Sequence, residues 1–315
     1  MKLTECRTVA ILRTDKIGDM ILTLPLAMEI KRLHPTCTIV VLTSHYAASI
    51  AQRCRVVDRT IVVDDKNLRR QLMELSPDAI FMPRPVFSEF WKVWQSNVPC
   101  RVGSSRRWYS FLINRRITYS RKTALKHEAE FNVEMLKPLV DEEIQLIAKL
   151  SPIDLSENDE IDAKTTLNTE HVDSNHYFVV QPGSGGSSRD ATMNLLSDTV
   201  NYVSEKTKMT PVICGTSSEK SICAEFHNMI PTGVDLCEKL SFGSWLALIS
   251  QSKLLIANST GAIHVAAANK VPTIGFYPNS PHLSAKRWGP YGNRSLIIHP
   301  KPIQVDNRWN RSEEH

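Results

Sequence analysis

The sequence lacks the features that mark several classes of protein. Its seven cysteines include no C-x-x-C pair and are odd in number, which argues against a disulfide framework and against a structural zinc site. No apolar run approaches the roughly 20 residues that span a bilayer, and the first residues lack the apolar segment of a signal peptide. We therefore expect reduced thiols and a cytoplasmic protein.

Two nucleotide-binding signatures are also missing. The chain contains neither G-x-x-x-x-G-K-[ST] nor G-x-G-x-x-G, which weighs against a P-loop nucleoside triphosphatase and against a dinucleotide-dependent oxidoreductase. It has no D-x-D element placed to hold a metal-bound diphosphate. We therefore predict no metal site and no cofactor.

What the sequence does contain is a repeated strand-then-helix pattern. The chain has 315 residues, of which 42% are hydrophobic, so two domains of about 150 residues are the first expectation. Short aliphatic runs alternate with helical patterns, which predicts parallel sheets with right-handed crossovers. The predicted strands cover residues 8–13, 39–43, 60–63, 79–82, 177–181, 211–215, 253–256 and 273–276.

A polar and acidic stretch, residues 141–175, separates two groups of strands, and we interpret it as a small insertion plus a linker. The prediction is an α/β protein with two Rossmann-like domains whose parallel sheets face each other across a cleft. The N-terminal domain is predicted to cover residues 1–155, the linker 156–175 and the C-terminal domain 176–315. The last residues are candidates for packing back on the N-terminal domain.

The first predicted strand leads into a loop and a helix that place an acid at a ligand-binding edge. The strand ends at Arg13, and after a polar loop the apolar residues resume at helical spacing, with Asp19 at the start of the helix. Loops at the carboxyl ends of parallel strands open into one crevice. Pro25 would cost about 3 kcal/mol in a helix interior, so the first helix is expected to be kinked or to begin late.

A glycine-rich loop in the second group of strands suits an anionic ligand. Residues 182–188 hold three glycines and three serines between a strand and a helix, and Arg189 follows them. Backbone N–H groups in such a loop can approach a phosphate closely, and a guanidinium adds a charged fork. A purely structural glycine loop remains the alternative.

A second loop of the same design covers residues 257–264. Ser259 or Thr260 can cap the following helix, and Gly261 opens its first turn. Two helix N-termini facing one cleft would favour a diphosphate, because their dipoles attract an anion. His264, taken alone, is more often a helix-packing histidine than a catalyst.

Basic residues are concentrated in one segment of a chain whose net charge is +5. Trp108, Tyr109 and Phe111 lie among them, so the segment suits an anionic partner such as lipid headgroups, a phosphorylated saccharide or nucleic acid. A solvated basic face is the alternative. The basic residues are Arg101, Arg106, Arg107, Arg115, Arg116, Arg121, Lys122 and Lys126.

Five stretches together resemble glycosyltransferase family 9, the family of the ADP-heptose:lipopolysaccharide heptosyltransferases. The resemblance runs in order from about residue 9 to residue 290, and the combination is more specific than any one stretch. The stretches are Arg13-Thr-Asp-Lys-Ile-Gly-Asp19 with Leu24-Pro25, Lys126-His-Glu-Ala-Glu-Phe131, Pro182-Gly-Ser-Gly-Gly186, Asn258-Ser-Thr-Gly-Ala-Ile-His264-Val-Ala-Ala267, and Lys286-Arg-Trp-Gly-Pro290.

The resemblance implies a GT-B fold and inverting transfer from a nucleotide-diphosphate sugar to an anionic glycolipid, without a metal. It places the catalytic base at Asp19, with Asp15 as the competing candidate. Expected donor-binding residues are Gly183, Ser184, Gly185, Gly186, Arg189, Ser259, Thr260, Gly261 and His264. Expected acceptor-side residues are Asp15, Lys16, Arg106, Arg107, Arg115 and Arg116.

Several alternatives stay open at this point. Many family members carry Asp where this chain has Ser259, which leaves the identity of the sugar open. The chain could use another nucleotide sugar, act as a nucleotide-sugar epimerase of similar two-domain form, or bind a nucleotide sugar without turnover. We expect peripheral contact with the inner face of the inner membrane. We expect no nucleic-acid partner, since the basic segment contains no recognition motif.

Overall fold

The computed structural model describes residues 1–118, 125–141, 143–144, 149–186 and 190–299. Within these ranges strands and helices alternate along the chain. The strands are β1 (Thr8–Arg13), β2 (Thr38–Thr43), β3 (Arg59–Val62), β4 (Ala79–Met82), β5 (Cys100–Ser104), β6 (Arg115–Ile117), β7 (Tyr177–Gln181), β8 (Thr210–Ile213), β9 (Val234–Asp235), β10 (Leu255–Asn258), β11 (Thr273–Phe276) and β12 (Ser295–Ile298).

The α-helices fall between these strands and pack on both faces of the sheets. Short 3₁₀ helices, among them Trp108–Leu112 and Glu134–Leu136, add to them. The α-helices are α1 (Ile17–Ile21), α2 (Leu24–Leu33), α3 (His45–Gln52), α4 (Leu68–Leu75), α5 (Phe87–Gln95), α6 (Glu128–Val133), α7 (Glu157–Thr169), α8 (Met193–Thr207), α9 (Lys220–Asn228), α10 (Phe242–Gln251), α11 (Gly261–Ala268) and α12 (Ala285–Trp288).

The strands form two parallel sheets, which confirms the predicted fold class. In the described residues the first sheet has the order β3-β2-β1-β4-β5-β6 and the second β12-β11-β10-β7-β8-β9. We call the part of the chain that builds the first sheet, with α6 packed on it, the first half. Residues 176–299, which build the second sheet, are the second half.

Each sheet has a point at which the strand order reverses, and such points are where open α/β sheets bind ligands. In the first sheet the reversal lies between β1 and β4, so the loops after these two strands flank it. In the second sheet it lies between β7 and β10. The two motifs selected from the sequence in the second half are therefore neighbours in space.

The core is continuous between the halves. Along β1, Val9 and Ile11 join the largest cluster of buried apolar side chains, whereas Ala10 and Leu12 join a cluster on the opposite face. The largest cluster also contains side chains of α11 and β7 from the second half. Its continuity fixes the position of one half against the other.

The break in the first helix follows from Pro25, as predicted. Helix α1 ends at Ile21, and α2 begins at Leu24 with the proline in its first turn. A proline is tolerated there because the first N–H groups of a helix have no intrahelical acceptor. The chain therefore turns between the two helices and leaves α1 as a single short turn at the end of β1.

The range 156–175, which we predicted as a linker, contains the helix α7. The helix is polar, and its buried side chains include Ala163 and Leu167, which pack toward α10. The basic segment contains most of β5 and all of β6. Its members Arg121 and Lys122, together with the last residues of the chain, lie outside the described residues.

Side chains of α6 bind the stretch that follows β11. Nε2 of His127 lies 2.9 Å from the carbonyl of Gly289. The hydroxyl of Tyr291 donates to Glu130, and Nε and Nη2 of Arg287 each donate to Oε2 of Glu128 at 3.0 Å. We call these contacts the α6 clasp. Among the described helices, none has the length and apolar character required to cross a bilayer.

Candidate functional site

Two neighbouring cavities lie between the halves. The larger has a volume of about 770 Å³ and the smaller about 270 Å³. Four residues line both of them: Lys16 and Gly18 from the loop and helix after β1, and Thr260 and Gly261 at the start of α11. The site predicted from the two motifs is therefore one continuous region.

Asp19 lines the smaller cavity, where a buried arginine holds it. Nη2 of Arg13 donates to Oδ1 of Asp19, and Nε of the same guanidinium donates to Oδ1 of Asp15 at 2.6 Å. Arg13 is 3% exposed, so its charge is only weakly screened by water. Within the described part of the chain, Oδ2 of Asp19 accepts no hydrogen bond and remains available to a ligand.

The electrostatic surroundings shift the pKa of Asp19 upward. Burial raises the pKa of Asp19 above its ordinary value, and the negative charges of Asp15 and Glu128 act in the same direction. The Arg13 guanidinium opposes them and lowers the pKa. One guanidinium thus serves two carboxylates, and the resulting basicity of Asp19 exceeds that of a solvated aspartate.

Asp15 is differently placed. It lines neither cavity, and besides Arg13 it pairs with Nε of Arg84 at 3.9 Å. Nη1 of Arg84 donates to the hydroxyl of Thr14 at 2.9 Å, and that hydroxyl donates to Glu89. The loops after β1 and β4 are therefore joined by charged side chains, and Asp15 belongs to that network.

Gly18 allows the halves to approach closely beside the start of α11. A Cβ built on Gly18 would lie 2.7 Å from Cδ2 of His264 and 3.4 Å from Cα of Gly261. A contact of 2.7 Å is not compatible with an unmoved neighbour, so this position requires glycine. The approach sets the distance between Asp19 and the start of α11.

His264 is a buried, neutral side chain in the wall of the smaller cavity. Burial, with the nearby His127, lowers the pKa of His264 to about 3, so the imidazole carries no charge at neutral pH. Its Nδ1 is buried and has no hydrogen-bond partner in the described ranges. His264 can therefore offer a ligand a hydrogen bond but no positive charge.

The glycine-rich loop is fixed at both ends by Asn258. Nδ2 of this buried amide donates to the carbonyl of Pro182 at 2.5 Å, and its Oδ1 accepts from the N–H of Ala191 at 2.8 Å. Gly185 and Gly186 have positive φ values of 54° and 70°, which only glycine adopts without strain. The loop conformation is therefore set by Asn258 of β10, which bonds both ends of the loop, and by the two glycines inside it.

The predicted donor-binding residues are distributed over the two cavities, and Thr260 and Gly261 line both. Ser184 and Gly185 line the larger cavity, and Gly186, Ser259 and His264 line the smaller. Gly183 lines neither cavity but packs against Glu219, since a Cβ there would lie 2.3 Å from Oε1 of that residue. Arg189 lies outside the described residues.

Helix α11 presents its N-terminus to both cavities. Its N-cap Thr260 makes no side-chain capping hydrogen bond, and the first turn carries the partial positive charge of the helix dipole. Nζ of Lys16 reaches across from the first half and donates to the carbonyl of Gly185 at 3.3 Å. The junction of the cavities is therefore suited to an anion.

The second helix N-terminus does not take part as expected. Helix α8 begins at Met193, beyond the glycine-rich loop, and the hydroxyl of Thr192 accepts from the N–H of Leu195 at 3.3 Å. The described residues at its start line neither cavity. Of the two helices, only α11 has described residues of its first turn in the cavity walls.

Sequence reasoning missed much of the larger cavity. Its wall includes Thr216 and Glu219 from the loop after β8. Glu219 accepts from Gln181, from the N–H of Thr216 and from the hydroxyl of Thr216 at 2.9–3.3 Å, so it joins the ends of β7 and β8. The signal was present, because Gly215 ends a predicted strand and polar residues follow it, as in the two selected loops.

Part of the wall of the larger cavity is apolar and comes mainly from α10 and the residues before it. The hydrophobic periodicity of the sequence does not indicate that these side chains line a cavity, because an aromatic side chain on a helix is usually part of a core. The apolar side chains there are Leu236, Leu240, Phe242 and Trp245, and Glu238 lies beside them.

The predicted acceptor-side arginines lie away from both cavities. Arg106, Arg107 and Arg116 are exposed, and Arg115 is half-buried in β6. Of the predicted acceptor-side residues, Lys16 alone lines the cleft. In the ranges that the structure describes, no three His, Cys, Asp or Glu side chains are grouped as metal ligands.

Comparison with known proteins agrees with this arrangement. A Haemophilus influenzae protein named "Putative glycosyltransferase" is 25% identical over 298 residues, which cover 90% of this chain and 85% of that protein. The solved structure of a glycosyl transferase family 9 protein from Veillonella parvula superimposes with a TM-score of 0.82 at 18% identity, over 95% of this chain and 87% of that one.

Two Escherichia coli structures share the fold. ADP-heptose LPS heptosyltransferase II gives a TM-score of 0.74 at 17% identity, over 92% of this chain and 90% of its own. Heptosyltransferase WaaC with ADP gives 0.72 at 16%, over 93% of each. The family model of glycosyltransferase family 9 (heptosyltransferase) matches residues 107–311, more than half of the chain. The chain is therefore a glycosyltransferase and belongs to glycosyltransferase family 9.

Proposed function

We propose that this glycosyltransferase transfers heptose from ADP-heptose to a lipopolysaccharide core or a related glycolipid, with inversion and with Asp19 as the general base. The observation that carries the proposal is the position of Asp19. Its carboxylate is held by Arg13 in a small cavity that opens onto a larger one at the N-terminus of α11. The similar heptosyltransferases supply the choice of sugar.

The step needs one base and one receiver of negative charge. An acceptor hydroxyl attacks the anomeric carbon, Oδ2 of Asp19 takes the hydroxyl proton, and the bond from the anomeric carbon to the diphosphate oxygen breaks with both electrons on the oxygen. The first turn of α11, Lys16 and Arg189 receive the diphosphate. Because that leaving group departs as an anion, the step requires no acid, and the helix N-terminus with the two cationic side chains takes the place of a metal ion.

The larger cavity is the proposed nucleotide site. The apolar part of its wall suits the adenine ring, and Glu238 beside it can accept hydrogen bonds from ribose hydroxyls. The diphosphate then lies between Ser184 and Thr260, toward the smaller cavity. Residues 176–315 form the donor domain in this proposal, 1–155 the acceptor domain and 156–175 the connection between them.

The first half meets the acceptor. Arg106, Arg107, Arg115 and Arg116 supply positive charge for an anionic glycolipid and for the inner face of the inner membrane. Arg84 connects this surface with the base, because it pairs with Asp15 beside Arg13. The acceptor approaches from the edge of the first sheet that β5 and β6 form.

Mass spectrometry of the cell-surface glycolipid from a strain lacking this protein tests the proposal. We expect the loss of one heptose unit, restored by the intact gene and not by Asp19→Asn. Purified protein should release ADP from ADP-heptose in the presence of the glycolipid from that strain. An unchanged glycolipid, or restoration by Asp19→Asn, would refute the assignment.

A second candidate uses another nucleotide sugar, and Ser259 is the observation that favours it. Ser259 lines the smaller cavity, where many family members carry a carboxylate. Competition between ADP-heptose and a panel of ADP-, GDP- and UDP-sugars decides between the two. A chain that binds these donors and turns over none would be a nucleotide-sugar-binding protein.

A further inference from the structure

The first half exposes a row of aromatic side chains that the reaction does not use. They come from two elements, α5 and the 3₁₀ helix Trp108–Leu112. The rings form one connected row, which we call the aromatic face: Trp94, Trp91, Phe87, Trp108 and Phe111.

The rings support one another while remaining accessible. The ring centroids of Phe87 and Trp108 lie 5.1 Å apart, as do those of Trp91 and Trp94. Trp108 is 74% exposed and Phe111 61% exposed. Scattered apolar residues on a surface need no explanation, but a contiguous aromatic patch of this kind marks an interaction surface.

The patch is built on a rigid base. Tyr109 packs edge-on against Phe90 and Phe87, and its hydroxyl donates to the carbonyl of Pro85 at 2.5 Å. Phe90 is fully buried in the core of the first half. The exposed rings are therefore held in a fixed array rather than on a loose loop.

The charges around the patch select an anionic partner. Between residues 84 and 116 the sequence holds seven basic residues, of which Lys92 is paired with Asp65, and a single acid, Glu89. Glu89 is buried and hydrogen-bonded to Thr14, so it adds little negative charge to the surface. Arg106 and Arg107 immediately precede Trp108, and both are exposed.

We infer that the aromatic face enters the headgroup layer of an anionic bilayer. Indole and phenyl rings flanked by arginine are favoured at that depth, because the rings leave water while the guanidinium groups stay at the phosphates. The inference rests on the proposed function only in taking the acceptor to be lipid-linked.

The location of the patch agrees with such a role. Phe87 follows the loop after β4, one of the two loops at the strand-order reversal of the first sheet. In that loop, Arg84 pairs with Asp15, which shares Arg13 with Asp19. A bilayer in contact with the aromatic face lies on the side from which a lipid-linked saccharide enters the cleft.

Co-sedimentation of the full-length chain with sucrose-loaded vesicles tests the inference. Trp108→Ser with Phe111→Ser should weaken binding to phosphatidylcholine vesicles containing phosphatidylglycerol at least about tenfold, because two interfacial side chains are lost. Tyr202→Ser is the matched control, since Tyr202 is 63% exposed on the second half, and it should bind like the parent. Vesicles of phosphatidylcholine alone should bind the parent chain weakly.

A second readout locates the rings. Phospholipids brominated on the acyl chain near the headgroup should quench the tryptophan fluorescence of the parent chain more strongly than that of Trp108→Ser. Arg106→Ser with Arg107→Ser should weaken binding but leave the quenching of the bound fraction unchanged. Unchanged vesicle binding in the Trp108→Ser and Phe111→Ser variant would overturn the inference, as would absence of quenching in the parent.

The outcomes also separate this inference from the proposed function. If ADP-heptose proves not to be the donor while vesicle binding depends on the aromatic face, the inference stands and the donor assignment falls. If the variants bind vesicles normally but raise KM for a delipidated, water-soluble acceptor, the aromatic face contacts saccharide. That result would overturn the bilayer as its partner.

Discussion

At the scale of single residues, the site depends on one arginine that serves two aspartates. Arg13 ends β1 and is almost fully buried, and its guanidinium pairs with both carboxylates. Only Asp19 lines a cavity. Position, rather than residue type, therefore separates the two acids, which is why the sequence left Asp15 as an alternative.

We expect Asp19→Asn to lower kcat by about 10²–10⁴, the usual scale of a lost general base. The same change at Asp15 should do less, because that side chain keeps Arg13 in place but lines neither cavity. Steady-state kinetics with the donor saturating checks both variants. A larger loss from Asp15→Asn would mean that the base has been misassigned.

The pH dependence of kcat should report the surroundings of Asp19. A base must be deprotonated to act, and the pKa of Asp19 is raised by burial, with Asp15 and Glu128 adding to the shift. The acidic limb of kcat should therefore lie above the value of about 4 for a solvated aspartate. Glu128→Gln removes one of these negative charges, so the limb should move to lower pH.

Glu134→Gln is the control for that experiment. Glu134 follows α6 and already pairs with Lys126 and Lys137, so its charge is locally balanced. The acidic limb of kcat for the Glu134→Gln variant should coincide with that of the parent chain. If Glu128→Gln moved the limb to higher pH, the influence of Glu128 on Asp19 would have the opposite sign from the one described here.

At the scale of elements, the packing of α1 against α11 sets the geometry of the cleft. Gly18→Ala would place a methyl group 2.7 Å from Cδ2 of His264, so the helices must separate by a few tenths of an ångström or more. We expect a destabilisation of about 1–3 kcal/mol and a larger KM for the donor. Urea denaturation and initial-rate kinetics measure the two effects.

A second substitution makes the Gly18 prediction specific. His264→Ala removes the side chain that the new methyl group would meet. Gly18→Ala should therefore cost less stability in the His264→Ala background than in the parent chain. The coupling should appear in a double-mutant cycle as a nonadditive term. Strictly additive losses would show that the glycine is needed for some reason other than this contact.

The leaving-group arrangement leads to a prediction about metals. The N-terminus of α11 and the ammonium of Lys16 meet at the junction of the cavities, where a diphosphate would develop its charge. Turnover should therefore be unchanged after treatment with EDTA. Loss of turnover that Mg²⁺ or Mn²⁺ restores would show that the helix and lysine are not sufficient receivers.

Elements with strong local signals were predictable from the sequence. The predicted bounds of β1, β4, β7 and β11 coincide with the structure, because each is a short apolar run followed by polar or turn residues. The break at Pro25 followed from the lost N–H. By contrast, α7 has few apolar residues and is stabilised by α10, which is distant in sequence. Propensity within a window cannot include such a contact.

The same limit applies to the site. Its backbone motifs were found because glycine and small polar residues between a strand and a helix have a local reason to be there. Phe242 and Trp245 were missed because their role depends on α10 lying beside the loop after β8. The exposed arginines were expected near the acceptor, and only the topology shows that they share a surface with the aromatic residues of α5.

At the scale of the whole molecule, the catalytic arrangement requires the halves to keep one relative position. The proposed base, Asp19, comes from the first half and the start of α11 from the second, and the α6 clasp holds the two halves together on one side of the cleft. Glu128 is 1% exposed and accepts two hydrogen bonds from Arg287. Removing one partner of a charged pair with so little solvent contact strongly destabilises the fold.

Arg287→Ala should therefore destabilise the fold by about 3 kcal/mol, because the carboxylate of Glu128 loses its guanidinium partner while remaining buried. Arg55→Ala is the matched control, since Arg55 also pairs with a carboxylate, that of Asp154 at 2.8 Å, but is 84% exposed. Its loss should cost at most about 1 kcal/mol.

Urea denaturation measures the stability of both variants. In the absence of denaturant, kcat should fall for Arg287→Ala alone, because the clasp lies beside Trp288 in the wall of the smaller cavity. Equal stability losses in the two variants would show that the clasp is no stronger than a surface ion pair, and the position of the halves would then depend on α1 and α11.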